Sequence, residues 1–286
     1  MSCALSTNFA TDYLWQMGGQ MTRSYLTNAR LNKLVASLAE RDLAVIREVA
    51  ALRFLSGAQA ARLCFTAHEP NANLRASRRT LLRLTRLGLL DRLPRQLGGV
   101  RAGSDGYVYQ LAAAGQRLSI ERGWLPKRRV RRPLIPGRLF LRHSLAVAEL
   151  HARLVEAARS GSFELLERTS EPACWRATEG ATLKPDSYLR LGLGPYEDSY
   201  FIEVDMGTEG SAALEAQLER YLAYARSGCE QAAHGVFPKV LWLTPDAGRK
   251  EALEAVVAQS AASDPELFAV AQLKDAISVL TEVKSH

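Results

Sequence analysis

The sequence predicts an α+β protein, and three observations carry that prediction. Residues 41–118 read as three helices followed by two short strand-like runs. The positive charge of the chain is gathered in a block that overlaps them. From about residue 138 the order becomes helix, three strands, helix, strand, helix, then a closing strand and helix, which suits an α/β layer on a mixed sheet. The expected organisation is a helical extension over 1–40, a first domain over 41–121, a basic, proline-rich linker over 122–137 and a second domain over 138–286.

In the first domain, "RDLAVIREVAALRFL" sets Leu43, Ile46, Val49, Ala50 and Leu52 on one helical face. "SGAQAARLCF" is a short second helix with Ser56 placed to cap it. "NLRASRRTLLRLTRLGLL" opposes Leu74, Leu81, Leu82, Leu84 and Leu87 to Arg75, Arg78, Arg79, Arg83 and Arg86, and Gly88 closes the helix. "LDRLPRQLGG" and "GYVYQLAAAG" are strand-like runs around a turn-rich loop that carries Arg95 and Arg101. From Arg75 to Arg138 there are sixteen Lys or Arg against Asp91, Asp105 and Glu121, a net +13, while the whole chain carries +7. Such a block on an otherwise acidic chain is the footprint of a polyanion-binding surface.

Three helices and a hairpin in that order resemble a winged helix-turn-helix, in which the third helix enters the major groove and the wing rests on phosphates. The expected partner is double-stranded DNA. A winged helix serving only protein contacts is the alternative, and the basic block argues against it. In "RGWLPKRRVRRPLIPGR", Lys127, Arg128, Arg129, Arg131 and Arg132 stand between prolines, as a linker or an arm along phosphates.

In the second domain, "RLFLRHSLAVAELHARLVEAARSG" reads as an amphipathic helix, with His143 and His151 expected as packed or hydrogen-bonded side chains. Gly192, Gly194 and Pro195 mark a turn, so the runs around Asp186 and Asp205 pair as a hairpin. A turn centred near Pro195 sets Asp186 almost opposite Asp205 and Tyr188 opposite Glu203. Period-two alternation puts Glu203 with Asp205, and Lys184 with Asp186. Clustered carboxylates repel unless protonated or bridged, and hard oxygen ligands suit magnesium or manganese, with Asp186, Glu203 and Asp205 as the expected ligands.

This set resembles the PD-(D/E)xK nuclease core, in which Pro-Asp precedes an acidic-x-Lys on the adjacent strand. "QLERY" resembles the Gln-x-x-x-Tyr motif on the following helix of exonuclease-like branches, which adds Gln217 and Tyr221 to the implied catalytic group. One departure stands out: Asp205 occupies the lysine position, and Lys184 or Lys239 would have to supply the ammonium.

Taken together, "RRTLLRLTRLGLL", "GYVYQLAAAG", "RHSLAVAEL" and "KPDSYLRL…FIEVDMGTEG…LERYLAYARSG" resemble the replication-relaxation family over about residues 40–245. The resemblance implies work on plasmid or mobile-element DNA, in replication or at a transfer origin, with a relaxase or replication initiator as partner. Its acidic set falls on Asp186, Glu203, Asp205 and Glu209. Three readings remain open: a DNA-binding accessory protein, a metal-dependent endonuclease, and a transcriptional regulator whose second domain forms a homodimer.

Other classes are disfavoured. Cys3, Cys64, Cys174 and Cys229 are scattered and the five histidines form no His-Glu-x-x-His pattern, so neither a disulfide frame nor a zinc enzyme is expected. No run of about 18 apolar residues suggests a membrane span, and "MSCALSTNFATDYLWQMGG" is a poor signal peptide, so a cytoplasmic protein is expected.

Overall fold

The computed structural model describes residues 27–66, 69–94, 106–178, 181–261 and 264–282. The chain divides into two units, Met1–Leu38 and Ala39–His286. In the first, α1 (Asn28–Ala36) begins at Thr27, whose hydroxyl accepts from the Arg30 N–H. Residues 1–26 of the expected helical extension lie outside the described residues.

The second unit starts with α2 (Glu40–Leu52), where the Asp42 carboxylate accepts from the Ala39 N–H at 2.8 Å. After β1 (Leu55–Ser56), α3 (Gly57–Cys64) opens with a capping box: Ser56 accepts from the Gln59 N–H and Gln59 accepts from the Ser56 N–H. Helix α4 (Pro70–Arg86) starts on a proline, whose fixed φ suits the first helical position. It ends at Gly88, φ +72°, with Leu89 N–H on the Leu84 carbonyl and Gly88 N–H on that of Thr85, the Schellman pattern. Strands β2 (Leu90–Arg92) and β3 (Val108–Leu111) are antiparallel, β1 pairs the other edge of β3, and α5 (Ala113–Glu121) follows. Gly115 sits where a Cβ would lie 2.1 Å from the Leu89 carbonyl oxygen, so α5 can approach β2 only there.

Two expectations need correction here. The run "GYVYQLAAAG" is strand only to Leu111; its alanines, strong helix formers, begin α5 instead. On α4 the buried residues are Ser77, Leu81 and Leu84, a spacing of four and three, whereas Leu82 lies off that face and is 42% exposed.

Residues 122–137 carry no helix or strand. They are strapped down: the Gln116 amide donates to the Arg131 carbonyl at 2.8 Å and accepts from the Arg131 N–H at 3.0 Å, and Gln110 donates to the Leu134 carbonyl. Side chains from Lys127 to Arg132 stay largely outward.

Helix α6 (Arg138–Arg159) leads to β4 (Glu164–Ser170), the short pair β5 (Arg176–Thr178) and β6 (Ala181–Leu183), then β7 (Ser187–Leu193) and β8 (Tyr196–Val204). Helices α7 (Ser211–Arg226) and α8 (Cys229–His234), β9 (Lys239–Thr244), α9 (Ala247–Ser260), β10 (Phe268–Gln272) and α10 (Ala276–Thr281) complete it. The five-stranded sheet has the order β10-β9-β8-β7-β4; β8, β9 and β10 are parallel and the hairpin partners antiparallel, so the expected mixed sheet is present. One face buries Leu189, Leu191, Ile202, Val204 and Leu241 against α6 and α10. The other packs Tyr188, Phe201, Val240 and Trp242 against α7 and α9. The β5–β6 pair was not expected; it interrupts the run between β4 and β7.

The sides of the 122–137 segment also meet directly. Arg62 of α3 reaches Glu149 and Glu156 of α6, Arg168 of β4 pairs with Glu48 of α2, and Gln59 donates to the Leu145 carbonyl. Among the described residues no helix is long and apolar enough to cross a membrane, and Cys64, Cys174 and Cys229 are free thiols.

Candidate functional site

The acidic residues of the β7–β8 hairpin gather where the parallel strands β8 and β9 end, the usual place for a site in an open sheet. A two-residue turn, with Gly194 at φ +63° ahead of Pro195, sets the register. Leu193 pairs with Tyr196, Tyr188 with Phe201 and Ser187 with Ile202, and the Asp186 N–H donates to the Ile202 carbonyl. Asp186 therefore comes level with Glu203, two residues short of the Asp205 that a turn near Pro195 was expected to set almost opposite it. The slip is two residues, so every side chain keeps its expected face.

Each carboxylate is held by a different element. Asp186 Oδ2 accepts from the Val204 N–H at 2.7 Å and lies 3.0 Å from His143 Nε2 on α6. Burial alone would lower the His143 pKa, but the hydrogen bond and charge of Asp186, with Glu171 and Glu209 behind, raise it on balance. Glu203 is buried, and its carboxyl is bonded by the Tyr221 hydroxyl and by Gln217. Desolvation first and the Asp186 charge second push its pKa well up, against the pull of those two bonds. Asp205 accepts from the Gly207 N–H at 2.8 Å and pairs with Arg249 of α9.

The structure brings Asp186, Glu203, Gln217 and Lys184 onto one cavity of about 390 Å³, and Tyr221 reaches Glu203 from α7. Lys239 is at the other end of its strand: it pairs with Tyr200, whereas Trp242 pairs with Glu203. Sequence reasoning missed the roles of His143 and Arg249. They lie 43 and 44 residues from their partners and no local motif announces them.

Magnesium or manganese needs several free oxygen ligands. Here Asp186 Oδ2 has two partners, both Asp205 oxygens are engaged, and Glu203 is shifted toward its neutral form. Among the described residues no three His, Cys, Asp or Glu side chains group as a metal-ligand set.

The basic residues lie on α4, which packs against β2, and on the segment bonded to Gln116 of α5. Arg75, Arg78, Arg79 and Arg86 are exposed on α4, and among the described residues none is ion-paired. Arg83 differs: it pairs with the buried Asp42, the residue that also bonds back to the start of α2. Lys127, Arg128, Arg129, Arg131 and Arg132 are exposed on the strapped segment. Arg95 and Arg101 lie outside the described residues.

A family model described as Replication-relaxation matches residues 46–240, more than half of the chain. No curated protein matches, and no solved structure does.

Proposed function

The chain belongs to the replication-relaxation family, and from that premise we propose that it is a DNA-binding accessory protein of plasmid or mobile-element replication or transfer. In this reading α2, α3, α4 and the β1-β3-β2 sheet act as a winged helix-turn-helix that binds duplex DNA. The mixed-sheet domain is a PD-(D/E)xK-like core that assists assembly without cutting. One observation carries it: α4 turns Ser77, Leu81 and Leu84 inward and presents Arg75, Arg78, Arg79 and Arg86 to solvent without ion pairs among the described residues. Free guanidinium groups on one exposed helix match phosphate oxygens and guanine edges. The basic segment Lys127–Arg132, held on α5 by Gln116, extends the same charge along the backbone of the DNA.

The test is a titration of labelled duplex DNA against salt concentration. Wild type should show a steep loss of affinity with salt. The variant Arg75→Ala, Arg78→Ala, Arg79→Ala, Arg86→Ala should bind at least about tenfold more weakly and with a shallower slope. Equal affinity and slope for both proteins would remove the reading.

A second reading, a magnesium- or manganese-dependent endonuclease, is favoured by Asp186, Glu203, Lys184 and Gln217 lining one cavity, with the Tyr221 hydroxyl donating to Glu203. Against it, Asp205 replaces the lysine and lies in an ion pair. Nicking of supercoiled plasmid that appears with either cation and disappears in Asp186→Asn would establish it.

A further inference from the structure

The cavity at Asp186 has a neighbour of about 220 Å³, and Lys184, Glu203 and Gln217 wall both, so the two make one cleft between α6 and α7. Its ends differ in chemistry. At one end the first turn of α6 forms an apolar ledge, with Leu139 60% and Phe140 44% exposed, preceded by Leu134 at 76% and Ile135 at 69%. At the other end stands Arg220, with Lys184 between it and the ledge, both exposed and, among the described residues, in no ion pair. The Lys184 ammonium is steadied 4.9 Å over the Trp175 ring.

Four of the five acids that line the cleft are compensated by neighbours, Asp205 by Arg249, and exposed Glu209 is the exception. His143 and the Val204 N–H compensate Asp186, Arg53 compensates Glu171, and Tyr221 with Gln217 holds Glu203. One donor is left over: the Trp242 Nε1–H is buried without an acceptor, and Trp242 lines the cleft. An aromatic and apolar ledge at one end and two cations beyond it complement the two parts of a nucleotide, its flat base and its phosphate. A duplex is far too wide for a space of this size, whereas a strand with its bases unpaired can lay one nucleotide across it.

We propose that this cleft binds an unpaired DNA strand, with a base on Leu139 and Phe140 and backbone phosphates on Lys184 and Arg220, at a site separate from the duplex-binding face of α4. The inference deepens the proposed function by adding a substrate class to the second domain, and it rests on that reading only for the polymer being DNA. The exposed residues Lys127–Arg132, Arg138 and Arg142 flank the ledge in sequence and lead phosphates toward it.

The experiment measures anisotropy of a labelled short oligothymidylate and, separately, of a labelled duplex hairpin, on the full chain. The pair Lys184→Gln, Arg220→Gln touches only exposed side chains, and its melting temperature should match wild type. It should weaken oligothymidylate binding by roughly tenfold and reduce the salt slope by about 1.4, since single strands give about 0.7 per phosphate and two cations are removed. Duplex binding should not change. Phe140→Ala should also weaken the single strand by about tenfold, through lost stacking. The α4 quadruple variant should do the opposite, losing duplex and keeping oligothymidylate.

Undiminished oligothymidylate binding in the Lys184, Arg220 variant overturns the proposal. So does inorganic polyphosphate that displaces the strand as well as unlabelled oligothymidylate does, because charge alone would then account for binding. If the α4 variant keeps its duplex affinity while the Lys184, Arg220 variant loses the single strand, the proposed function fails and the cleft assignment stands.

Discussion

On α4, Arg75, Arg78, Arg79 and Arg86 reach solvent unpaired among the described residues, whereas at the end of β8 the carboxylates of Asp186, Glu203 and Asp205 are each bound by another element. The same kinds of side chain therefore serve two purposes. Exposed guanidinium groups keep their hydration until a polyanion arrives, so their energy is available for binding. Buried carboxylates have lost water already, and their partners keep the fold from paying an uncompensated desolvation cost. Arg83 shows that position on one helix does not decide between these roles: it shares the exposed face of α4 yet closes on buried Asp42.

Breaking the Arg249–Asp205 pair gives the largest expected effect. Arg249→Met leaves a buried carboxylate without its cation and should cost about 3–5 kcal/mol. Thermal and urea unfolding would measure it, and Asp205→Asn, Arg249→Met should recover part of the loss. A single variant as stable as wild type would show that Asp205 is hydrated, in contrast with the geometry.

Tyr221→Phe removes the hydroxyl donated to Glu203 and should destabilise by about 1–3 kcal/mol, as a buried acceptor loses its donor. Glu203→Gln in the same background should soften that loss, since a neutral amide costs less to bury than a carboxylate. Arg83→Ala should lower stability by about 1–3 kcal/mol through Asp42. Arg78→Ala should leave melting unchanged and affect duplex binding alone. If the two arginines behave alike in both assays, the distinction between paired and free charge on α4 fails.

Two histidines sharpen the comparison through pH. His151 is fully buried against Ser187; desolvation first and the Arg168 charge second hold its pKa near 3, below the ordinary 6.5. Its contribution to stability is complete above 6.5 and drains away as pH falls toward 3. His143 has the opposite sign: with a raised folded pKa, its ion pair with Asp186 contributes fully below 6.5 and is lost as pH rises through the raised value. Melting temperature followed downward from neutral pH should therefore fall less steeply in His151→Gln. Identical acid limbs would show that His151 protonates without penalty. The smallest effect belongs to the half-exposed pair of Arg62 with Glu149 and Glu156, where Arg62→Met should change stability by about 0.2–1 kcal/mol.

Much of this molecule was legible in its sequence because local rules govern it. Ser56 and Gly88 mark helix ends through bonds to backbone groups within a few residues, and the mixed sheet follows from the alternation of strands and helices. Tyr221 was singled out only through the resemblance of "QLERY" to a known motif, and the structure sets its hydroxyl on Glu203. The hairpin register was misread by two residues, since a turn near Pro195 can span Pro195 and Tyr196 or, as found, Gly194 and Pro195, and side-chain alternation is blind to an even shift.

The sequence by itself determined which residues are apolar, where charge is in surplus, and where the chain must turn, because these depend on composition and on neighbours a few residues away. Only the tertiary structure decided which charges are neutralised. His143 finds Asp186, Arg249 finds Asp205 and Arg83 finds Asp42 across about forty residues in each case. The physical reason is desolvation: burying a carboxylate demands a partner, but any element packed over it can supply one, and the packing of α6, α9 and α4 chooses which.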